Sequence, residues 1–276
     1  MYDVSMTEAS KSALVEVASS LSMYGKDLVL AGGWAPYFLT RGYFDHCGSK
    51  DIDLVLRPSI MVRYESIRQI VEELGYKETA KNPFRFEKNV RSPLDRKEYR
   101  VELDFLTEPS AAEQAYPLIR VQAGIKACLI KGSSIIFKFN YKENVEGVLP
   151  SDGKIVAELN VANIVGSLTM KGLALPRLSD KDAYDIYALT GFHMGSPKQA
   201  SQEFLSNLNR VQMESTERRV ISDSINMVRQ AFRDPDSQGP YAVSRFTGQD
   251  IGAECHMRVG TFLEEIQSAF ASNERI

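Results

Sequence analysis

The chain has 276 residues, of which 43% are hydrophobic and 25% are charged, with a formal net charge of −3. This composition is typical of a globular protein, and the length corresponds to roughly two domains. The charge excludes an overall basic field, so nucleic-acid binding cannot be argued from net charge, although a local basic patch stays open. Three widely spaced cysteines exclude a disulfide framework and a paired-cysteine zinc site.

The N-terminal sequence lacks a basic stretch followed by an apolar run, so it does not have the pattern of a signal peptide. No apolar stretch reaches the roughly 18 residues that a transmembrane helix needs. We therefore expect a cytoplasmic protein with no membrane partner.

The first half of the chain mixes helical and strand patterns. Apolar or small residues at helical spacing predict an opening helix over residues 7–23. Strict alternation predicts a strand from Asp51 to Leu56. The further elements predicted in this half are strands at 27–31, 84–87, 99–106, 119–121 and 134–139, and helices at 34–39 and 59–74.

After about residue 155 the pattern becomes helical. An obvious break covers residues 233–240, which contain two prolines and a glycine. We therefore predict an α+β fold, with a mixed β-sheet domain flanked by helices at 1–155 and a helical domain at 156–276. The helices predicted in the second half are 161–175, 180–191, 197–209, 214–233 and 259–272.

The candidate chemistry lies in three aspartates within strand patterns. Asp51 and Asp53 are two residues apart, which places both side chains on one face of a strand. Asp104 lies between Leu103 and Phe105 in another predicted strand, and the three acids face one another if the two strands pair. Carboxylates grouped in this way repel unless a cation is present, and magnesium prefers such hard oxygen ligands. The alternative is that the acids only form the wet face of a sheet.

A glycine pair, Gly32-Gly33, follows the predicted strand at 27–31. Glycines allow close approach of a phosphate to the backbone, although a simple tight turn is the alternative. The sequence is not a P-loop or a Rossmann fingerprint, because neither the following lysine nor a third spaced glycine is present. The neighbouring Trp34 is expected to pack in the core rather than to stack on a base.

Gly32-Gly33, the stretch Ser49 to Leu54, and the stretch Glu102 to Phe105 together resemble the DNA polymerase β-type nucleotidyltransferase superfamily. Its signature is a Gly-Gly or Gly-Ser turn, a later pair of alternating acids, and a third acid on another strand. The long separation between Gly33 and Asp51 is similar to the abortive-infection AbiEii-type branch. Met170 to Arg177, followed by Ser179 to Leu189, resembles the Lys…Arg…Lys-Asp-x-x-Asp block of that branch.

The resemblance covers about residues 27–190, and it implies a nucleotidyltransferase fold that transfers a nucleotide from an NTP with the help of Mg²⁺. The implied roles by residue are magnesium binding and catalysis for Asp51, Asp53 and Asp104, and nucleotide binding for Gly32, Gly33, Ser49, Lys171 and Asp185. Three residues of the helical half also have a structural alternative. Asp182 could only start a helix, and Asp185 could form a surface ion pair with Lys181. Lys171 could extend its side chain from an apolar face into water.

The branch implies an acceptor hydroxyl on tRNA or protein, a toxin role in a toxin–antitoxin or phage-defence system, and a possible antitoxin partner. Two alternatives stay open. One is an antibiotic nucleotidyltransferase acting on an aminoglycoside-like or lincosamide-like small molecule. The other is a catalytically inactive nucleotide-binding regulatory module, against which the intact set of three aspartates argues.

Overall fold

The computed structural model describes residues 1–57, 66–108, 118–122, 124–177 and 179–273 of the chain, with side chains described up to residue 268. The first part of the helix predicted at 59–74 lies outside the described residues. None of the described helices is long and apolar enough to cross a membrane.

The fold is α+β, as predicted, with a mixed sheet in the first part of the chain and helices in the second. The described strands are β1 (Leu28–Leu30), β2 (Asp51–Leu56), β3 (Lys77–Glu78), β4 (Arg85–Arg91), β5 (Glu98–Thr107), β6 (Leu118–Gln122), β7 (Ile125–Leu129), β8 (Asn140–Val148) and β9 (Lys154–Ala162). The described helices are α1 (Val4–Ser20), α2 (Trp34–Thr40), α3 (Ile67–Glu73), α4 (Ile164–Ala174), α5 (Asp180–Phe192), α6 (Pro197–Arg210), α7 (Ser215–Ala231), α8 (Gln238–Thr247) and α9 (Gly252–Asn273).

The described strands form one sheet in the order β3-β4-β5-β2-β1-β9-β8, with β7 also pairing with β5 and β6 with β7. β1 and β2 are antiparallel, whereas β2 and β5 are parallel. A parallel pair needs a crossover connection, and α3, β3 and β4 lie between β2 and β5 in the chain. The two strands that carry the candidate aspartates are therefore direct neighbours in the middle of the sheet.

The chain divides into two compact units. A sheet unit contains Tyr2–Ala35 and Cys47–Ala162, and a helical unit contains Met1, Pro36–His46 and Asn163–Ile276. The predicted boundary at 155/156 falls inside β9, whereas the sheet unit includes all of that strand and ends at Ala162. The segment Pro36–His46 also groups with the helices, although it precedes them by more than a hundred residues.

In the sheet unit, α1 packs on the sheet through an apolar face that includes Ala13, Leu14 and Val17, none of which is exposed. Asp3 caps this helix by accepting a hydrogen bond from the backbone N–H of Met6 at 3.1 Å. Trp34 is fully buried and donates from Nε1 to Ser10 Oγ at 3.3 Å, which confirms its expected place in the core.

In the helical unit, α5 lies against α4, α6, α8 and α9. It is buried almost throughout from Ala183 to Gly191, as expected of a central helix that packs on several sides. Asn163 caps the start of α4, and its side chain accepts hydrogen bonds from the N–H groups of Val165 and Gly166 at 3.0 and 3.2 Å.

The strand predicted at 134–139 is wrong. Residues Ser133–Phe137 form a 3₁₀ turn. Gly132 enters this turn with a φ of 82°, and the Glu108 carboxylate accepts hydrogen bonds from the N–H groups of Gly132 and Ser134. This side-chain acceptor satisfies the first N–H groups of the turn, so the apolar run from Ile135 to Phe137 needs no strand partner.

Other predicted bounds also need correction. The helix predicted at 161–175 begins only at Ile164, because residues 161 and 162 belong to β9. The break predicted at 233–240 ends earlier, since α8 starts at Gln238 and contains Pro240 in its first turn, where proline is tolerated. Four strands and one helix were not predicted: β3, β7, β8, β9 and α8.

Candidate functional site

β2 and β5 bring the candidate carboxylates onto one face of the sheet. In their parallel register Asp53 lies opposite Asp104, and Asp51 lies opposite Glu102. Side chains at paired positions point to the same face, so four acids from two neighbouring strands share it. The other face is apolar, and Ile52, Leu54 and Leu103 are almost fully buried there. The three aspartates therefore share one face of the sheet, as expected if the two strands pair.

The glycine turn adjoins this acidic face. Gly32 has a φ of +61°, a conformation that L side chains rarely adopt. A Cβ atom added at Gly32 would lie 1.8 Å from Asp53 Oδ2, so the backbone of the turn is in direct contact with that carboxylate. The backbone N–H of Ala31 also donates to the carbonyl oxygen of Asp53 at 2.9 Å. The turn and the acids thus form one local structure.

Ser49 contacts an acid. Its side chain is buried, with 2% of the residue exposed, and its hydroxyl donates a hydrogen bond to Asp51 Oδ1. The predicted phosphate-binding role of Ser49 stays a prediction. In the structure the hydroxyl orients the Asp51 carboxylate.

Arg85 of β4 is the main feature of this face that the sequence analysis missed. β4 pairs with β5 in antiparallel register, which places Arg85 directly opposite Asp104. Arg85 Nε donates to Asp104 Oδ1 at 2.7 Å, and Nη2 donates to Oδ2 at 2.6 Å. Its Nη1 lies 2.5 Å from Glu102 Oε2. One guanidinium therefore holds both oxygens of Asp104 and one oxygen of Glu102.

The charged groups on this face change the pKa values of Asp104 and Arg85. Burial raises the pKa of Asp104 above the usual range of an aspartate, because the carboxylate loses water; Arg85 opposes this rise, and the negative charges of Asp51 and Glu102 add to it. The same carboxylates raise the pKa of Arg85, chiefly through its hydrogen bond with Asp104. Arg85 thus supplies a positive charge that partly balances the carboxylates of the acidic face.

The fit of a magnesium ion depends on the type, spacing and burial of the acids. Asp51 and Asp53 are half-buried acids at alternate positions of one strand, which suits an ion that takes one or two protein carboxylates plus water and phosphate oxygens. Asp104 is only 5% exposed, and Arg85 holds both of its oxygens. In the described part of the chain, no group of three or more His, Cys, Asp or Glu side chains is arranged to hold a metal ion. Asp51 and Asp53 are of the ligand type that magnesium prefers, whereas Asp104 could join them only if Arg85 moved.

Lys171 and Asp185, the predicted nucleotide-binding residues of the helical unit, pair with each other there. Lys171 Nζ lies 2.7 Å from Asp182 Oδ1 and 2.7 Å from Asp185 Oδ2. Lys181 also pairs with Asp185, but this pair is buried rather than on the surface: 11% and 0% of the two side chains are exposed. The ammonium group of Lys171 is therefore committed to two carboxylates that join α4 to α5.

His46 completes this buried cluster and was not predicted to take part in it. Its Nε2 lies 2.9 Å from Asp185 Oδ1, and its ring packs 5.0 Å from the ring of Tyr184. Burial and the positive charge of Lys181 together lower the pKa of His46 to about 4, in spite of the opposing effect of Asp185, so the ring is neutral at pH 7. The pKa of Asp185 is held well below the usual range by Lys171 and Lys181 in spite of burial. The cluster is thus two lysines balanced by two aspartates, with a neutral histidine donating to one of them.

Comparison of the chain with protein-family models, with curated proteins and with solved structures gave no match. The geometry described above is therefore the basis for assigning a function.

Proposed function

We propose that this protein is a magnesium-dependent nucleotidyltransferase that moves a nucleoside monophosphate from an NTP to a hydroxyl group of an acceptor. The observation that carries the proposal is the contact between the glycine turn and the acids. Gly32 lies against the Asp53 carboxylate, and Asp53 lies in register with Asp104 on the neighbouring parallel strand. A backbone turn that admits phosphate therefore adjoins carboxylates that suit a divalent cation.

In this proposal Asp51 and Asp53 hold the magnesium ion, which when bound would neutralise charge on the phosphate oxygens of the NTP. Ser49 fixes the orientation of the Asp51 carboxylate through its hydrogen bond. The absence of a side chain at Gly32 lets the Asp53 carboxylate lie directly against the turn, because a Cβ at position 32 would collide with it.

Asp104 is the candidate proton acceptor for the attacking hydroxyl. Its burial raises its pKa and so favours proton acceptance, whereas both hydrogen bonds from Arg85 oppose it. The acceptor role therefore requires Arg85 to release at least one oxygen. A guanidinium freed at this place is well suited to pair with phosphate oxygens, since it presents several N–H donors in a fixed fork.

The acceptor and the biological role follow only from the resemblance found in the sequence. We propose a hydroxyl of tRNA or protein as the acceptor and a toxin role, with an antitoxin protein as a partner. Lys171 and Asp185 support this enzyme by holding α4 and α5 together, because Lys171 is paired with two carboxylates and only 11% of its side chain is exposed.

The deciding experiment incubates the full chain with each α-labelled NTP, magnesium and a cell lysate. We expect label to appear on one class of acceptor, which identifies donor and acceptor together. Asp51→Asn and Asp53→Asn should each abolish labelling, while the matched change Asp152→Asn, at an exposed aspartate paired only with exposed Arg96, should preserve it. Full labelling by either of the first two variants, with unchanged circular dichroism spectra, would contradict the proposal.

A second candidate function is nucleotide binding without transfer, as in a regulatory module. The bidentate hold of Arg85 on Asp104 favours it, because an acid committed in this way neither binds a metal nor accepts a proton. The two functions differ in outcome. A regulatory module would be stabilised against heat by an NTP with magnesium, and would lose that stabilisation in Asp53→Ala, but would label no acceptor.

A further inference from the structure

The helical unit contains a cavity that the proposed transfer reaction does not use. Its volume is about 560 Å³, which lies within the range of small-molecule binding sites. The end of α6, the connection to α7, one face of α7 and the end part of α9 form its walls. All of these elements belong to the helical unit, so the cavity is a property of that unit alone.

The floor of the cavity is apolar. It is formed by Phe204 and Leu208 of α6, Ile221 and Ile225 of α7, and Ile266 of α9, all of which are at least nine-tenths buried. The spacing of four residues within each pair on α6 and α7 places both members on one helix face. An apolar floor of this kind favours a hydrocarbon chain over a polar ligand, because burying an unpaired polar group is costly.

Arg229 supplies a positive charge at one end of this floor. Its Nη1 donates to Asn226 Oδ1 at 3.0 Å, and its Nη2 donates to Gln267 Oε1 at 3.3 Å. Both acceptors are uncharged, and they orient the guanidinium without balancing its charge. No carboxylate in the described part of the chain forms an ion pair with Arg229, and none is among the described residues that line the cavity. The guanidinium is therefore oriented by two uncharged side chains and has no ion-pair partner among the described residues.

Arg218 lies on the same face of α7, eleven positions earlier, or about 16 Å along the helix axis. It is exposed, and its aliphatic stem can cover the apolar floor while its charge stays in water. The cavity thus has an apolar middle and positive charge at its edges. This distribution is complementary to an amphipathic anion, since a cationic head would be repelled by the two arginines.

We propose that this cavity binds the carboxylate of a long-chain fatty acid or a similar amphipathic acid. The carboxylate pairs with the guanidinium of Arg229, and the hydrocarbon chain covers Ile221, Ile225 and Phe204. The site shares no residue with the acidic face of the sheet unit, so its test is independent of the proposed nucleotide transfer.

The test is isothermal titration of the full chain with dodecanoate below its micelle concentration. We expect saturable binding of one molecule per chain, with a Kd below about 1 mM. Arg229→Gln should weaken binding about tenfold or more, which is the usual effect of losing one hydrogen-bonded charge partner. Ser222→Trp should abolish binding, because the exposed Ser222 borders the cavity and an indole there fills it without changing the core.

Two controls make the result specific. Arg219→Gln removes an exposed arginine of the same helix that does not line the cavity, and it should leave the affinity unchanged. Dodecyltrimethylammonium has the same chain with a positive head, and it should bind at least tenfold more weakly than dodecanoate. The proposal is overturned if dodecanoate does not saturate, if the cationic probe binds equally well, or if Arg229→Gln and Ser222→Trp both bind as the wild type does.

Discussion

The contact between Gly32 and Asp53 makes a quantitative prediction for Gly32→Ala. The substitution has two separate costs. At a φ of +61° an alanine loses about 1–2 kcal/mol relative to its preferred conformation. In addition its Cβ would lie 1.8 Å from Asp53 Oδ2, so the carboxylate has to move, and overpacking of this kind costs about 1–3 kcal/mol. We expect a total loss of about 2–5 kcal/mol in the free energy of unfolding.

Gly75→Ala is the matched control within the sheet unit. Gly75 also has a positive φ, of +91°, but the nearest atom to an added Cβ is Lys88 Cε at 3.7 Å, an ordinary contact with a flexible side chain. This variant therefore carries the conformational cost without the steric one. Urea unfolding of the two variants and the wild type measures both contributions, and the difference between the variants is the cost of the contact with Asp53.

The contact also links stability to the proposed site, because a displaced Asp53 can no longer hold a cation beside the turn. Gly32→Ala should therefore weaken Mn²⁺ binding, measured by electron paramagnetic resonance, while Gly75→Ala should not. Equal unfolding free energies for the two variants would show that the turn does not press on Asp53, and the argument that joins turn and acids into one site would fail.

Three further predictions concern buried groups. Asp185→Asn should lower the free energy of unfolding by about 3–5 kcal/mol in urea denaturation, since it removes the buried carboxylate with which both Lys171 and Lys181 pair. Asp152→Asn, in an exposed pair, should change it by less than about 1 kcal/mol. The pKa of His46 is lowered from 6.5 to about 4, so between these pH values only the unfolded chain binds a proton at this residue. The free energy of unfolding should therefore fall by on the order of 3 kcal/mol as the pH decreases from 6.5 to 4. His46→Gln should make this decrease smaller. Cys255 is fully buried with a raised pKa, so a short iodoacetamide pulse read by mass spectrometry should label it only in urea, while the partly exposed Cys128 reacts in the folded chain.

Local patterns predicted the central strand of the site well. The alternation from Asp51 to Leu56 gives β2 with the predicted bounds, because an acid-and-apolar alternation is compatible with only one face being buried. The placement of Asp104 on the same face followed from the assumption that the two strands pair. Their register is a long-range property, and it became known only from the fold.

The partners of the acids could not be predicted from local sequence. Arg85 lies inside a strand that was predicted, but its pairing with Asp104 depends on the antiparallel register of β4 and β5. His46 and Asp185 are 139 positions apart, and no periodic pattern connects them. In both cases the sequence shows that an ionisable residue is present, but it does not show which residue lies beside it in the fold.

The missed β8–β9 hairpin has a different cause. Both strands are rich in charged and polar residues on their solvent-exposed faces, so the alternation of apolar and polar residues is weak. For this reason no strand was predicted between residues 139 and 155. A turn signal was present at Pro150 to Gly153, where Asp152 has a φ of 68° and Leu149 donates its N–H to Gly153. Reading that turn as a hairpin connection would have found both strands.

The grouping of Pro36–His46 with the helices has a consequence for biosynthesis. This segment leaves the ribosome on the order of ten seconds before Asp185 does, at usual rates of translation. During that interval His46 and the apolar ring of Phe44, which later stacks on Phe192, have no partners from α5. A fragment that starts at Asn163 would meet the opposite difficulty, since it would contain Lys171, Lys181 and Asp185 but not the imidazole that completes their cluster. The helical unit is thus expected to mature only after α4 to α9 have been made, and to fold poorly when it is expressed without residues 36–46.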